Sequence, residues 1–218
     1  MNGSGVSISG QLRSLKWLLA AIYLPTLLVL TGIGALGEDW AAFLLRDTHS
    51  LAGLPFFAGA LSNIGVLLWT VALAVCLFCG VVLRRTPGHD EASKFLLSAG
   101  ALTTLLTVDD FFLLHEDLFR HYVPLPEALV FGIYGAAAVA FLVRYRRIIL
   151  ASEYLLLLLA LLLLAMSVAV DLFQNVVSTE QYQVIGGYVL EDGFKFTGIL
   201  TWMVYFIRLC DQLLARRL

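Results

Sequence analysis

The residues of this chain best suited to chemistry are ionisable side chains that lie within long apolar stretches. An ionisable group inside a bilayer costs at least about 2.5–3.5 kcal/mol, so such residues mark candidate functional sites. Four of them are catalytic candidates: Asp109, Asp110, Glu191 and Lys195. A carboxylate can act as a general base, and a lysine can stabilise developing negative charge or hold a phosphate.

A second, overlapping set of side chains offers oxygen and imidazole ligands to a metal ion. The candidate metal ligands are Asp109, Asp110, His115, Glu116, Asp171 and Asp192. The sequence leaves open whether a cofactor is bound, but this ligand set favours Mg, Mn or Ca over zinc held by three histidines. Ser62 and Asn63, on another apolar segment, are expected to support the site.

The acidic residues outnumber the basic residues around this candidate site. Glu191 and Lys195 are four apart, the favourable order for an ion pair along one helix. Seven acids face only Lys195 and Arg120, a formal excess of five negative charges; the acids are Asp109, Asp110, Glu116, Asp117, Asp171, Glu191 and Asp192. In a low-dielectric bundle, some of these carboxylates must be protonated, hydrated, or bound to a metal or a cationic ligand.

The elements that carry these residues are long apolar segments. Of the 218 residues, 60% are hydrophobic and only 14% are charged, whereas soluble domains carry about 25% charged residues. About 20 apolar residues suffice for a helix to cross a bilayer. The stretches that qualify are 15–36, 57–83, 95–118, 126–143, 154–177 and 187–207.

This pattern predicts an all-α, polytopic transmembrane helical bundle of six spans, formed by a single domain over residues 1–218. Residues 39–46 are too few to cross and are predicted to form a short interfacial helix. The first apolar run is longer than the core of a signal peptide, about 7–15 residues, so we expect it to be retained as a span.

Lysine and arginine are strongly segregated between alternate loops. The N-terminal segment, the second and fourth loops and the C-terminal segment together hold eleven of the fourteen basic residues. The positive-inside rule therefore predicts cytoplasmic N- and C-termini. The expected location is a bacterial inner membrane. With this orientation, spans two, three, five and six place their polar residues in the extracytoplasmic half, with Asp109 about 12 Å below the outer end of its span.

Two apolar segments have distinctive compositions. Small residues recur along span four, namely Gly132, Gly135, Ala136, Ala137, Ala138 and Ala140, which predicts close approach to another helix. The stretch Leu155–Leu164 of span five is almost entirely leucine and is predicted to face lipid.

Two motifs resemble known membrane proteins. Val108–Glu116 (VDDFFLLHE, a DDxxxxHE pattern) and Leu190–Gly198 (LEDGFKFTG, an EDGxK pattern) look like motifs of small, uncharacterised bacterial multi-pass membrane proteins. This likeness implies a multi-pass fold and no particular activity.

A fainter resemblance is to the alkaline ceramidase and progestin-receptor-like superfamily of membrane hydrolases. Its Ser-Asn pair, Asp-rich helix and closing H-x-x-x-H would correspond here to Ser62-Asn63, Asp109-Asp110 and Glu191 with Lys195. That superfamily holds zinc with three histidines in seven spans. Here the closing pair is Glu and Lys and six spans are predicted, so the resemblance implies a membrane hydrolase without that zinc site.

Three classes of function stay open from the sequence. The leading hypothesis is a metal-assisted hydrolase or transferase that acts on an outer-leaflet lipid. The alternatives are a proton- or cation-coupled transporter and a non-catalytic sensor or assembly subunit. A net charge of −2 gives no reason to expect nucleic acid as a partner, whereas the lipid bilayer, an oligomer and a partner subunit are all compatible with the sequence.

Overall fold

The structure is a computed structural model that describes residues 8–46, 48–114, 118, 122–123, 126–177 and 187–215. Its helices are α1 Ile8–Ala35, α2 Glu38–Leu45, α3 Thr48–Ala52, α4 Ala60–Arg84, α5 Asp90–Phe112, α6 Glu127–Leu150, α7 Tyr154–Val177 and α8 Gly187–Ala215. No strand occurs in these described ranges, and the predicted all-α class is confirmed.

Six of these helices are long and apolar enough to cross a membrane, as predicted. The apolar segments are Leu15–Ala35, Ala60–Arg84, Asp90–Phe112, Leu129–Leu150, Tyr154–Phe173 and Val189–Ala215. The chain is therefore a multi-pass integral membrane protein. The short helix predicted over 39–46 is present as α2, whereas its location at a membrane interface stays a prediction.

Several helix boundaries differ from the predicted spans, and those of α5 and α6 have identifiable causes. α5 begins at Asp90 rather than at 95, because acidic residues in a first turn are stabilised by the helix dipole. It ends at Phe112 rather than at 118, because Leu113 adopts a left-handed conformation with φ 51°. α6 continues beyond 143 through a kink at Tyr145, so the arginine-rich segment remains helical.

The chain divides into two compact units, Met1–Ala58 and Gly59–Leu218. The first unit contains α1, α2 and α3. After α3 the chain turns back, and His49 Nε2 donates a hydrogen bond to the carbonyl oxygen of Ala58 at 2.7 Å. The prediction of one domain over the whole chain covers both units and stays a prediction.

The second unit is a bundle of α4 to α8 around a buried aromatic core. Phe95 of α5 stacks on Phe141 of α6 with ring centroids 5.3 Å apart, and Trp69 of α4 meets Trp202 of α8 edge to face at 5.8 Å. The Trp202 indole N–H also donates to Thr103 Oγ1 at 3.1 Å. These contacts connect four helices, α4, α5, α6 and α8.

Close helix approach occurs at glycines of α4, α5 and α8. A Cβ added at Gly80 would lie 2.9 Å from Leu97 Cγ, and one added at Gly198 would lie 2.9 Å from Leu164 Cγ. Ser93 reinforces the first approach by donating to the Gly80 carbonyl at 2.8 Å. In the helix pairs α4–α5 and α7–α8, the backbone at a glycine of one helix therefore packs directly against a leucine side chain of the other.

One sequence prediction about packing is wrong at the glycines, and another holds only in part. A Cβ added at Gly132 or Gly135 would meet nothing within 4 Å, so these two glycines of α6 do not bring helices together. The leucine-rich start of α7 exposes most of its large side chains, namely Leu155, Leu158, Leu159 and Leu162, as predicted. Leu157 and Ala160 are fully buried, because one stripe of a packed helix must face its neighbours.

An exposed ion pair joins the turn after α6 to α8. Arg208 donates two hydrogen bonds to the Glu153 carboxylate, one from Nε to Oε2 and one from Nη2 to Oε1. These hydrogen bonds hold the pKa of Glu153 below its ordinary value. Bidentate arginine contacts fix geometry as well as charge.

Candidate functional site

A large cavity opens within the second unit between α4, α5, α6, α7 and α8. Its volume is about 490 Å³, and most of its wall is apolar. The apolar residues of the wall include Trp69, Leu102, Leu142, Leu161 and Trp202. A volume of this size lies within the range of small-molecule sites, roughly 300–1,000 Å³.

Most of the acidic candidates and the lysine lie on the wall of this one cavity. The charged wall residues among those described are Asp109, Asp110, Asp171, Glu191 and Lys195. Trp202 lies seven residues beyond Lys195 along α8, about 10 Å at 1.5 Å per residue. The cavity thus has a charged end and an apolar end.

An ion pair between α5 and α8 lies at the charged end. Lys195 Nζ contacts Asp110 Oδ1; the Asp110 side chain is 6% exposed and the Lys195 side chain 29% exposed. The buried Asp110 carboxylate is therefore compensated by the lysine of a different helix.

Asp109 is held from a different helix. The Tyr134 hydroxyl of α6 donates to Asp109 Oδ1 at 2.8 Å. Because α5 ends at Phe112, Asp109 lies only about 4.5 Å of helix rise from the end of α5, and not about 12 Å as predicted from a longer span. The last turn of α5 thus presents two adjacent buried carboxylates to two different partners.

The remaining candidates divide into three groups. Ser62 and Asp192 line a separate small pocket of about 20 Å³, next to Asp110 and Lys195. Asn63 is exposed and is absent from the walls of both cavities. His115 and Glu116 lie outside the described residues.

The acids at this site do not form a metal-binding group among the residues that the structure describes. No three His, Cys, Asp or Glu side chains, among those whose placement the structure describes, are arranged to hold an ion. The metal site predicted from Asp109, Asp110, Asp171 and Asp192 with the undescribed His115 and Glu116 stays a prediction. What the described side chains offer is a set of carboxylates distributed around a cavity.

The sequence did not identify several residues that shape the site. Tyr134 binds Asp109, Ser167 lines the cavity and is buried, and Trp69 and Trp202 lie on its wall. A signal for Tyr134 was available, because its hydroxyl in an apolar span requires a partner. Each tryptophan is an apolar residue within an apolar stretch, like any core residue, so the sequence did not mark either of them as part of a site.

A family model described as "Domain of unknown function (DUF8692)" matches residues 15–209. The chain belongs to this family. The match includes all the described residues that line the cavity, so the charged end and the apolar end both lie within the DUF8692 region. No curated protein and no solved structure matches the chain.

Proposed function

We propose that this protein binds a membrane amphiphile in the cavity between α4 and α8, with the apolar chain of the ligand against Trp69 and Trp202 and its polar head against the charged end. The cavity carries the proposal, because it combines about 490 Å³ of mostly apolar wall with carboxylates and a lysine at one end. Ligand sites in proteins have this composition, with a few polar groups that fix orientation.

The proposed orientation places the charged end toward the extracytoplasmic side of a bacterial inner membrane. Described arginines lie at the other ends of the helices, with Arg84 in the last turn of α4 and Arg147 in the last turn of α6. The positive-inside rule assigns those ends, and both termini, to the cytoplasm. The head of the ligand would then lie in the outer leaflet.

Binding, rather than metal-assisted hydrolysis, is the function that the described geometry favours. Hydrolysis of a lipid by the predicted mechanism requires a metal held by several of the acids with His115 and Glu116, which lie outside the described residues. The cavity needs no such group to accept an amphiphile. Catalysis would be a role in addition to binding, and it stays a hypothesis for the four residues Asp109, Asp110, Glu191 and Lys195.

Brominated alkyl chains provide a direct test, because bromine quenches nearby tryptophan fluorescence. The chain has four tryptophans, and Trp17→Phe with Trp40→Phe leaves only the two on the cavity wall. In zwitterionic nanodiscs, we expect a brominated single-chain amphiphile to quench these two tryptophans saturably. Quenching that rises in proportion to the probe without saturation would contradict binding in the cavity.

Glycines of α6 provide a matched pair of variants. Gly135 lines the cavity and Gly132 does not, and both have open space around an added Cβ. Gly135→Leu should project into the cavity, obstruct the alkyl chain and abolish saturable quenching, whereas Gly132→Leu should leave it unchanged. Equal quenching in both variants would refute the assignment of the ligand to this cavity.

A further inference from the structure

The cavity has a definite length along the helices. On α7, Asp171 at the charged end and Leu161 are ten residues apart, about 15 Å of helix rise, and on α8 Lys195 and Trp202 are about 10 Å apart. On each of α5 to α8, the wall residue farthest from the charged end is apolar; these four residues are Leu102, Leu142, Leu161 and Trp202. Four helices therefore end the cavity at a similar distance from its charged end.

Beyond these four residues the bundle is filled. The side chains three or four residues farther along, at most 8% exposed, are Ala99 on α5, Tyr145 on α6, Leu157 on α7 and Phe206 on α8. The Phe206 ring lies 5.2 Å from that of Trp202, and Phe95 contacts the rings of both Tyr145 and Phe206, at 5.3 and 6.2 Å. We call this layer of Ala99, Tyr145, Leu157 and Phe206 the floor of the cavity.

A packed floor limits the length of the chain that can enter. Protein interiors have few voids, so a longer chain must displace side chains of the floor or draw its head away from the charged end. Displacement of packed side chains is costly in the same way as the insertion of extra methylenes into a core. Lipid sets no such limit, because its chains are fluid and as apolar as the cavity wall.

We propose that the floor selects the ligand by the length of its chain, so that the ligand is a single-chain amphiphile whose chain ends against Leu142 and Trp202. This inference rests on the proposed function and adds the class of ligand to it. A volume of about 490 Å³ suits a ligand of modest size, which favours one alkyl chain over the two of a phospholipid.

A series of primary alcohols that carry bromine on the last carbon, from six to eighteen carbons in steps of two, measures the limit. Quenching in the chain with Trp17→Phe and Trp40→Phe gives each affinity as a mole fraction in zwitterionic nanodiscs, with partitioning measured on empty discs. Up to the limit the affinity should change little, because each methylene exchanges lipid for an equally apolar wall. Beyond it we expect a loss of about tenfold or more within two steps, as for an overpacked core.

Variants of two wall residues on different helices test whether the apolar end sets the limit. Leucine has three more carbons than alanine, so Leu142→Ala and Leu102→Ala should each move the limit at least one step toward longer chains. Leu142→Phe should move it toward shorter chains, a reversal that a general loss of stability would not produce. Val143→Ala is the control and should leave the limit unchanged, because Val143 is 62% exposed and is absent from the cavity wall.

The outcomes distinguish this inference from the proposed function. If every chain length binds saturably with equal affinity, or if the limit stays the same in Leu142→Ala and Leu102→Ala, selection by the floor is wrong and the amphiphile site stands. If no chain length binds saturably, the proposed function itself fails. A limit that moves in opposite directions in Leu142→Ala and Leu142→Phe is the expected result.

Discussion

Replacing Lys195 by methionine removes the positive charge beside a buried carboxylate of the cavity wall, that of Asp110. Methionine keeps an unbranched side chain of similar length, so packing changes less than charge does. Asp110, with 6% exposure, would then face the bundle without its ion-pair partner. The charge of Asp110 would then lack this compensation in a low-dielectric bundle, and we expect the free energy of unfolding at neutral pH to fall.

The magnitude follows from the burial of the two partners. Breaking a buried ion pair by removing one member costs about 3–5 kcal/mol, and the 29% exposure of Lys195 favours the lower end. With Asp110→Asn in the same chain, the carboxylate that lost its lysine is gone, and we expect a loss of only about 1 kcal/mol. The loss for Lys195→Met alone exceeds this by about 2 kcal/mol, and any loss from Asp110→Asn alone adds to the difference, so the predicted coupling is at least about 2 kcal/mol.

Unfolding in mixed micelles, followed by tryptophan fluorescence, measures the four free energies of this double-mutant cycle. A second cycle on an exposed pair provides the control. Lys94 Nζ lies 3.1 Å from Glu91 Oε1, with side chains 60% and 57% exposed. For Lys94→Met with Glu91→Gln we expect no resolved coupling, because exposed ion pairs contribute little.

Strict additivity of the Asp110 and Lys195 effects would refute the reasoning, because it would mean that the two charges do not interact across the bundle. Equal coupling in both cycles would also refute it, since burial would then make no difference. A coupling confined to the buried pair is the expected result.

Two further predictions concern packing and pH. Gly80→Ala should destabilise the bundle by about 1–3 kcal/mol, because the new Cβ meets Leu97 at 2.9 Å, whereas Gly132→Ala should be neutral or stabilising by up to about 1 kcal/mol; thermal unfolding of both variants checks the contrast. The arginine contact of Glu153 lowers its pKa, so its stabilising contribution is present above the ordinary value of 4.5 and is lost as pH falls through the lowered pKa. The difference in Tm between the native chain and Glu153→Gln should accordingly be larger at pH 7 than at pH 3, and a constant difference would contradict the assignment.

The fold class could be predicted from hydropathy because a bilayer leaves few alternatives to the helix. Backbone polar groups in hydrocarbon must be paired internally, so long apolar runs become helices. The ends of the helices were less predictable. The end of α5 depends on a left-handed backbone at Leu113, a conformation that non-glycine residues rarely adopt and that no nearby residue type announces.

The acidic part of the site was predictable, and the cavity was not. Asp109 and Asp110 are conspicuous because charged residues in apolar spans are costly. The cavity wall, in contrast, is made of the same leucine, tryptophan and alanine side chains that fill cores and face lipid. Leu161 and Leu164 line the cavity, although their stretch was predicted to face lipid. The sequence alone does not show whether an apolar side chain contacts lipid, a neighbouring helix or a cavity.

The contacts and the small side chains of α6 explain why the cavity exists beside this helix. Tyr134 holds α6 to α5 through Asp109, and farther along the helix the Tyr145 hydroxyl lies 2.8 Å from Ser98 Oγ. Between these two contacts α6 presents Gly135 and Ala138 to the cavity. The small side chains therefore leave volume between two fixed points instead of bringing helices together. A leucine at Gly135 would occupy that volume without displacing either tyrosine contact, which is why it should block the ligand and leave the bundle folded.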